Sequence, residues 1–384
     1  MSWGVFGTNL NKNFRFENCR LNRIDVHFHC WNLSIKDCSI GFKGISVTGG
    51  GDLLIENTTR DGNSFISFRS DYGSKWDGRI RLRGCTLRPT GAGRVSVLTY
   101  AMRDFDYKYP IGFAQSVSIE DMVIDYAAAP TSEAECWLMS IVPFSKTETD
   151  ARLFFPAQID FRNIRVAGRE QGVRLIRIPS PHHYDLRRAG GYDGNRLTAN
   201  CTISVENVQL ERLNPASPAD KGSVHLLVGG DEAADYADQA ALYPRIRFTD
   251  CEGVGVYLGN CAASAFFNRC TLNTVNAPGL QGELVFTDCR FQPGLQAVEG
   301  DIYTLDSALG TRFTNCTVHA PLVNGEARPE LVDSTGFLRV NGPVRHSHIN
   351  TALGNEVVEH YRNAGIVLSP DFIAKLKLHH PLDE

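Results

Sequence analysis

Apolar residues alternate with polar ones in short runs along this chain, and the runs end alike. Phe14 to Cys19 reads FRFENC, Leu33 to Cys38 LSIKDC, Leu53 to Thr58 LLIENT and Ile80 to Cys85 IRLRGC. VSIEDM (Val117 to Met122), IDFRNI (Ile159 to Ile164) and ISVENV (Ile203 to Val208) continue the series. IRFTDC, AFFNRC, LVFTDC and TRFTNC follow, ending at Cys251, Cys270, Cys289 and Cys316, and a weaker copy, ELVDS, closes it at Glu330 to Ser334. The template is apolar, any, apolar, any, then Asn or Asp in most copies, then Cys or another small or apolar residue. Period-two alternation predicts a strand with one buried face, and Asn or Asp predicts a tight bend that tolerates a left-handed residue.

The copies are mostly 18 to 28 residues apart, widening to 37 to 44 in the middle of the chain. An extended coil of about twenty residues cannot bury its own inner face, so neighbours must stack at about 4.8 Å per coil. A second strand follows each motif: Ile24 to Phe28, Ile45 to Thr48, Phe65 to Phe68, Val95 to Thr99, Trp137 to Val142, Val173 to Ile178, Val224 to Val228 and Val254 to Leu258. The expected fold is all-β, a right-handed parallel β-helix of roughly twelve coils with long loop insertions on the middle coils. It is expected over residues 1–343, with 344–384 as a C-terminal cap or oligomerisation segment, where Ser369-Pro370-Asp371 precedes a short amphipathic stretch. Phe14 already starts a coil, so the chain is expected to be part of a longer protein.

Composition changes this picture little. Hydrophobic residues make up 42% and charged residues 21%, a globular balance. Apolar stretches are too short for a transmembrane helix, the N-terminus does not read as a secretory leader, and a net charge of -4 argues against nucleic acid as partner. Eleven cysteines without a CxxC pair argue against a zinc site, and no metal or cofactor is called for. Seven of them (19, 38, 85, 251, 270, 289 and 316) share one phase, so they are expected as a file of free, buried thiols.

The extra residues of the long coils follow the second strand, at 103–115, 144–157, 179–200 and 229–244. Insertions at one edge of consecutive coils would lie side by side and wall a groove. They are rich in Asp, Arg, His, Tyr and Phe, residues suited to hydroxyls, carboxylates and sugar rings, although long surface loops are polar in any case. Arg103 opens the first insertion, while Arg174 and Arg177, on the second strand of a later coil, would clamp an anionic sugar.

The densest chemistry lies earlier. In RIDVHFHC the apolar Ile24, Val26 and Phe28 alternate with Asp25, His27 and His29, which places the latter three on the outer face beside Arg23. The next coil offers only Gly44, Ser46 and Thr48 there, and the third offers Ser67, Arg69 and Asp71, running into Tyr72, Trp76 and Asp77. Asp25 and Asp71, two coils apart, would stand about 10 Å from each other, near the upper end of the roughly 6.5–9.5 Å of an inverting glycosidase. Alternatively His27 or Tyr72 takes a proton beside a uronate carboxyl neutralised by Arg69, a lyase reaction. A third reading makes Arg23, Asp25 and Arg69 ion pairs that brace the coils. Gly49 to Gly51 is expected as a tight corner between strands.

The run from WGVFGTNLNKNFRFENC through RIDVHF, LSIKDCSIG, GISVTGGG and LLIENTT to FISFRSDYGSKWDG resembles the pectate-lyase-like β-helix proteins of phages and prophages, including tailspike-like exopolysaccharide depolymerases. The likeness covers about residues 3–88 and is one of coil pattern beyond. It implies a homotrimer, on a virion tail or extracellular, that binds a bacterial polysaccharide and cleaves it by hydrolysis or by elimination. The RxDxH of Arg23, Asp25 and His27 and the RxDYGxxWxG of Arg69, Asp71, Tyr72, Gly73, Trp76 and Gly78 match the family's recurrent motifs, which serve either catalysis or architecture. The leading expectation is glycosidic hydrolysis, with Asp25, His27 and Asp71 catalytic and Arg23, His29, Arg69, Tyr72, Trp76, Asp77, Arg103, Arg174 and Arg177 holding substrate. The alternatives are a lyase and a non-catalytic receptor-binding tail protein.

Overall fold

A computed structural model describes residues 4–69, 76–101, 111–112, 114–129, 133–142, 153–154, 157–178, 201–213, 224–229, 245–259, 263–291, 303–318, 322–323, 326–327 and 338–341. Among these residues all regular structure is strand, with no helix, and the long ladders are parallel. The chain divides into two compact units, 1–209 with 238–244, and 210–237 with 245–384.

The first unit opens with β1 (Gly4–Glu17), β2 (Arg20–Lys36), β3 (Ser39–Val47), β4 (Gly49–Glu56), β5 (Thr59–Asp61), β6 (Ser64–Phe68) and β7 (Trp76–Arg83). Each template copy pairs in parallel with the next: Leu33 with Leu53, Leu53 with Ile80, Ile80 with Val117, Val117 with Ile159 and Ile159 with Ile203. All six are buried, so a residue whose side chain points inward on one coil lies on its equivalent in the next. This is the coil-on-coil pairing expected of a parallel solenoid. In the second unit Phe248, Phe267, Phe286 and Phe313 stack along such a file, with ring centroids 5.5, 5.0 and 5.4 Å apart and planes within 14°.

The bend behaves as the template predicts. Asn18, Asp37, Asn57, Asp121, Asn163 and Asn207 in the first unit, and Asp250, Arg269, Asp288 and Asn315 in the second, take φ between 47° and 54°, and Gly84 takes 64°. After glycine, Asn and Asp adopt this left-handed geometry most readily, and they gain something more. Asn57 Nδ2 donates to Asp37 Oδ1 (3.1 Å), Asn163 to Asp121 (2.9 Å), Asn207 to Asn163 (2.9 Å) and Asn315 to Asp288 (2.6 Å), so the bends are tied to one another. Arg269 breaks the rule and instead forks onto Asp250 with two 2.7 Å bonds.

The cysteine phase has its own reason. The thiols of Cys38, Cys251, Cys270, Cys289 and Cys316 each donate to the carbonyl two residues back, at 3.1 to 3.4 Å. Where the phase holds Thr58, its hydroxyl does the same at 2.9 Å. A small side chain with one donor thus fills the interior and serves a carbonyl at the bend. All described cysteines are free, and every one except Cys19 is buried.

The fourth template position reads Glu17, Lys36, Glu56, Arg83, Glu120, Arg162 and Glu206 on successive rungs, each directly opposite the next. The sign alternates without exception. Like charges directly opposite are destabilising in a sheet, so skipping a coil would bring two of one sign together.

Two local expectations fail. Gly49 to Gly51 begin β4 rather than forming a corner. At the bulge where β1 pairs β2, Thr8 faces Val26 and Leu10 faces His29, so His27 and Phe28 both stand opposite Asn9. The extra residue turns Phe28, expected inward, to 39% exposure.

Candidate functional site

That bulged strand carries the cluster around Asp25. Ile24 and Val26 point into the core and aim the intervening Asp25 side chain outward, yet its residue is only 4% exposed because charged neighbours cover it. Arg69 Nη1 donates to Oδ1 at 2.8 Å, while Arg23 Nη2 at 2.5 Å and His27 Nε2 at 2.8 Å both meet Oδ2. Asp25 lies in register with Ser46, and Ser46 with Ser67. Arg69, two residues past Ser67, therefore reaches back across the rung of Ser46, where the sequence left room for a ligand.

Both carboxylate oxygens are thus occupied. A carboxylate so held is placed to orient His27, as a carboxylate orients a histidine base through one ring nitrogen. The His27 side chain is 46% exposed, and Arg23 is partly exposed beside it. The cluster offers solvent an imidazole and a guanidinium, with the acid behind them.

The other expected residues fall in different places. Asp71, Tyr72 and Arg103 lie outside the described residues, as do the loop insertions almost entirely and 344–384. Trp76 requires correction: it is 0% exposed, with its indole N–H donating to Gly51 O at 3.0 Å, so it is a core residue and presents no face to a sugar. His29 and Asp77 are half-buried on the outer face of β2 and β7. Arg174 is held at 2.8 Å by Glu135 and lies over the Trp137 ring at 5.5 Å, away from the Asp25 strand in sequence and in pairing. Arg177 lies on the strand Ile176–Ile178. In the second unit His225 is buried, taking the Gly255 N–H on Nδ1 (2.9 Å) and meeting Glu211 O with Nε2 (2.7 Å), which fits a packed structural histidine. No group of three or more potential metal ligands occurs among the described residues.

One stretch of the chain has a known relative. It is 30% identical over 97 residues to a capsule KL64-specific depolymerase of a Klebsiella phage. The match covers 22% of this chain and 10% of that relative, so the chain spans a small part of the relative's length. No family model and no solved structure matches. No helix among the described residues is long and apolar enough to cross a membrane.

Three features of this outer surface and its support escaped sequence reasoning. Trp31 follows Asp25, His27 and His29 at the same spacing, the signal that could have found it, and stands 45% exposed with its ring 6.0 Å from His29 and 16° from parallel. Arg60 lies in register with Ile40 and Leu87 in the interior. It donates to Gly41 O (2.7 Å) and Phe42 O (3.1 Å), and burial lowers its pKa to about 10. Glu120 is buried beside Ser118 (2.6 Å) and Arg162 (2.8 Å); burial pushes its carboxyl up, but these two donors outweigh it and hold it below the usual range.

Proposed function

We propose that this chain binds and depolymerises a bacterial exopolysaccharide or capsule by glycosidic hydrolysis, working as a homotrimer on a virion tail or outside the cell. The observation that carries the reading is the Asp25 cluster, which sets a carboxylate-backed imidazole and a guanidinium on a rigid parallel strand. Similarity to a phage capsule depolymerase supports it. In this reading the units are right-handed parallel β-helices, the hand that parallel crossovers take, and Asp71 supplies the second carboxylate.

A specific observation favours elimination as the second reading. His27 is backed by Asp25 and flanked by Arg23 and Arg69, a base next to cations that would neutralise a uronate carboxyl. The test is incubation with a panel of purified Klebsiella capsular polysaccharides, following viscosity, reducing ends and the ultraviolet absorbance of an unsaturated product. Reducing ends without absorbance establish hydrolysis, and both together establish elimination. Binding without either makes the chain an adhesin and overturns the depolymerase reading.

A further inference from the structure

We infer that Trp31 is a stacking platform for a pyranose ring of the polysaccharide, a binding subsite on β2 beyond the Asp25 cluster. The inference rests on the polysaccharide reading above and adds a residue and a mode of contact to it.

A tryptophan is the side chain with most to gain from burial, yet this one keeps nearly half its surface in water. Its ring lies flat because of what is missing beneath it. Trp31 is in register with Gly50, and a Cβ on Gly50 would come within 2.7 Å of Trp31 Cζ3, while one on Gly51 would approach Cε2 to 3.3 Å. Any side chain on the Gly50 rung would lift the ring. The two glycines are a floor for the indole, which explains a glycine run inside a strand, where glycine is otherwise unfavourable. The His29 ring is nearly parallel to the indole, with centroids 6.0 Å apart.

The surroundings are polar in a way that suits a sugar. The rung before Trp31 carries Lys12 and the rung after Gly50 carries Asp77, so the order across four strands is Lys12, Trp31, Gly50, Asp77. The Trp31 indole N–H makes no hydrogen bond to the described residues. A pyranose has an apolar C–H face and a rim of hydroxyls, and this shelf offers a flat apolar floor with donors and an acceptor at its rim. An apolar protein surface would cover the Lys12 ammonium and bury an indole N–H that has no acceptor among the described residues. Trp31 lies six residues from Asp25 on the same strand, so the two are at most about 20 Å apart, a span of a few sugar units for a chain crossing the rungs.

The experiment uses the full chain and the Klebsiella capsular polysaccharide of the panel that it binds most tightly. Trp31→Ala, with an unchanged unfolding transition, is expected to weaken binding by about tenfold or more, while Trp31→Phe keeps most of the affinity. Saturating polysaccharide is expected to protect Trp31 from N-bromosuccinimide oxidation, read by peptide mass spectrometry. Trp31→Ala with wild-type affinity and no protection of Trp31 overturns the inference and leaves the depolymerase reading standing. A fall in oligomer mass for Trp31→Ala at unchanged affinity overturns it in favour of a contact between copies. A wild-type chain that binds nothing in the panel overturns both.

Discussion

Asp25→Asn separates an architectural carboxylate from a reacting one. Asparagine keeps the size of the side chain but removes its charge and replaces one acceptor oxygen by an NH2. Whichever way the amide turns, that NH2 faces either Arg69 Nη1 or the pair Arg23 Nη2 and His27 Nε2, all of which donate to the carboxylate. Losing a hydrogen bond to a charged group costs about 1.5–3 kcal/mol, and removing one partner of a fully buried ion pair costs about 3–5 kcal/mol. Arg23 and His27 are partly exposed and recover water, so the expected loss is about 2–3 kcal/mol. Trp31, Trp76 and Trp137 all lie in the unit that holds Asp25, so urea unfolding followed by tryptophan fluorescence reports on it, with the m-value unchanged. A double-mutant cycle with Arg69→Met should give a coupling of about 1–3 kcal/mol. A variant that unfolds within about 0.5 kcal/mol of the wild type, or is more stable, refutes a structural role for these ion pairs and leaves Asp25 to the chemistry alone.

Further outcomes follow from the coils. Gly51→Ala would place a Cβ 2.2 Å from Asn32 Oδ1 at φ 73°, so it should lose about 1–2 kcal/mol for the left-handed residue plus the Asn32 bond to the Asp52 N–H; a thermal transition matching the wild type contradicts this. Burial pushes the Cys85 and Cys201 thiols up to about 12, so iodoacetamide at pH 8 should leave both unmodified in the folded chain and alkylate them in urea, as mass spectrometry will show. Because the Glu120 carboxyl is depressed from its ordinary 4.5, its contribution to stability is complete above that pH and disappears as pH falls through the folded value. Glu120→Gln should flatten this part of the acid limb in a pH series of urea midpoints, and an unaltered limb contradicts the assignment.

The alternation of the template already determines which side chains point inward, because a strand's period is two wherever it is regular. The bend and the thiol file are legible for the same reason: the left-handed turn and the carbonyl two residues back belong to one short segment. Regularity ends at the β1–β2 bulge, and there Phe28 was expected inside and stands outside. What the tertiary structure decided is which residue lies on the neighbouring rung, since that depends on coil length and bulges summed over tens of residues. Arg69 reaches Asp25 from 44 positions away, and the charge ladder from Glu17 to Glu206 is invisible until the register is known. Trp76 and Trp31 show the contrast most plainly. Period-two spacing puts one inside and the other outside, but the rung each lies against, Gly49 for Trp76 and Gly50 for Trp31, is a fact of register across coils that local sequence does not contain.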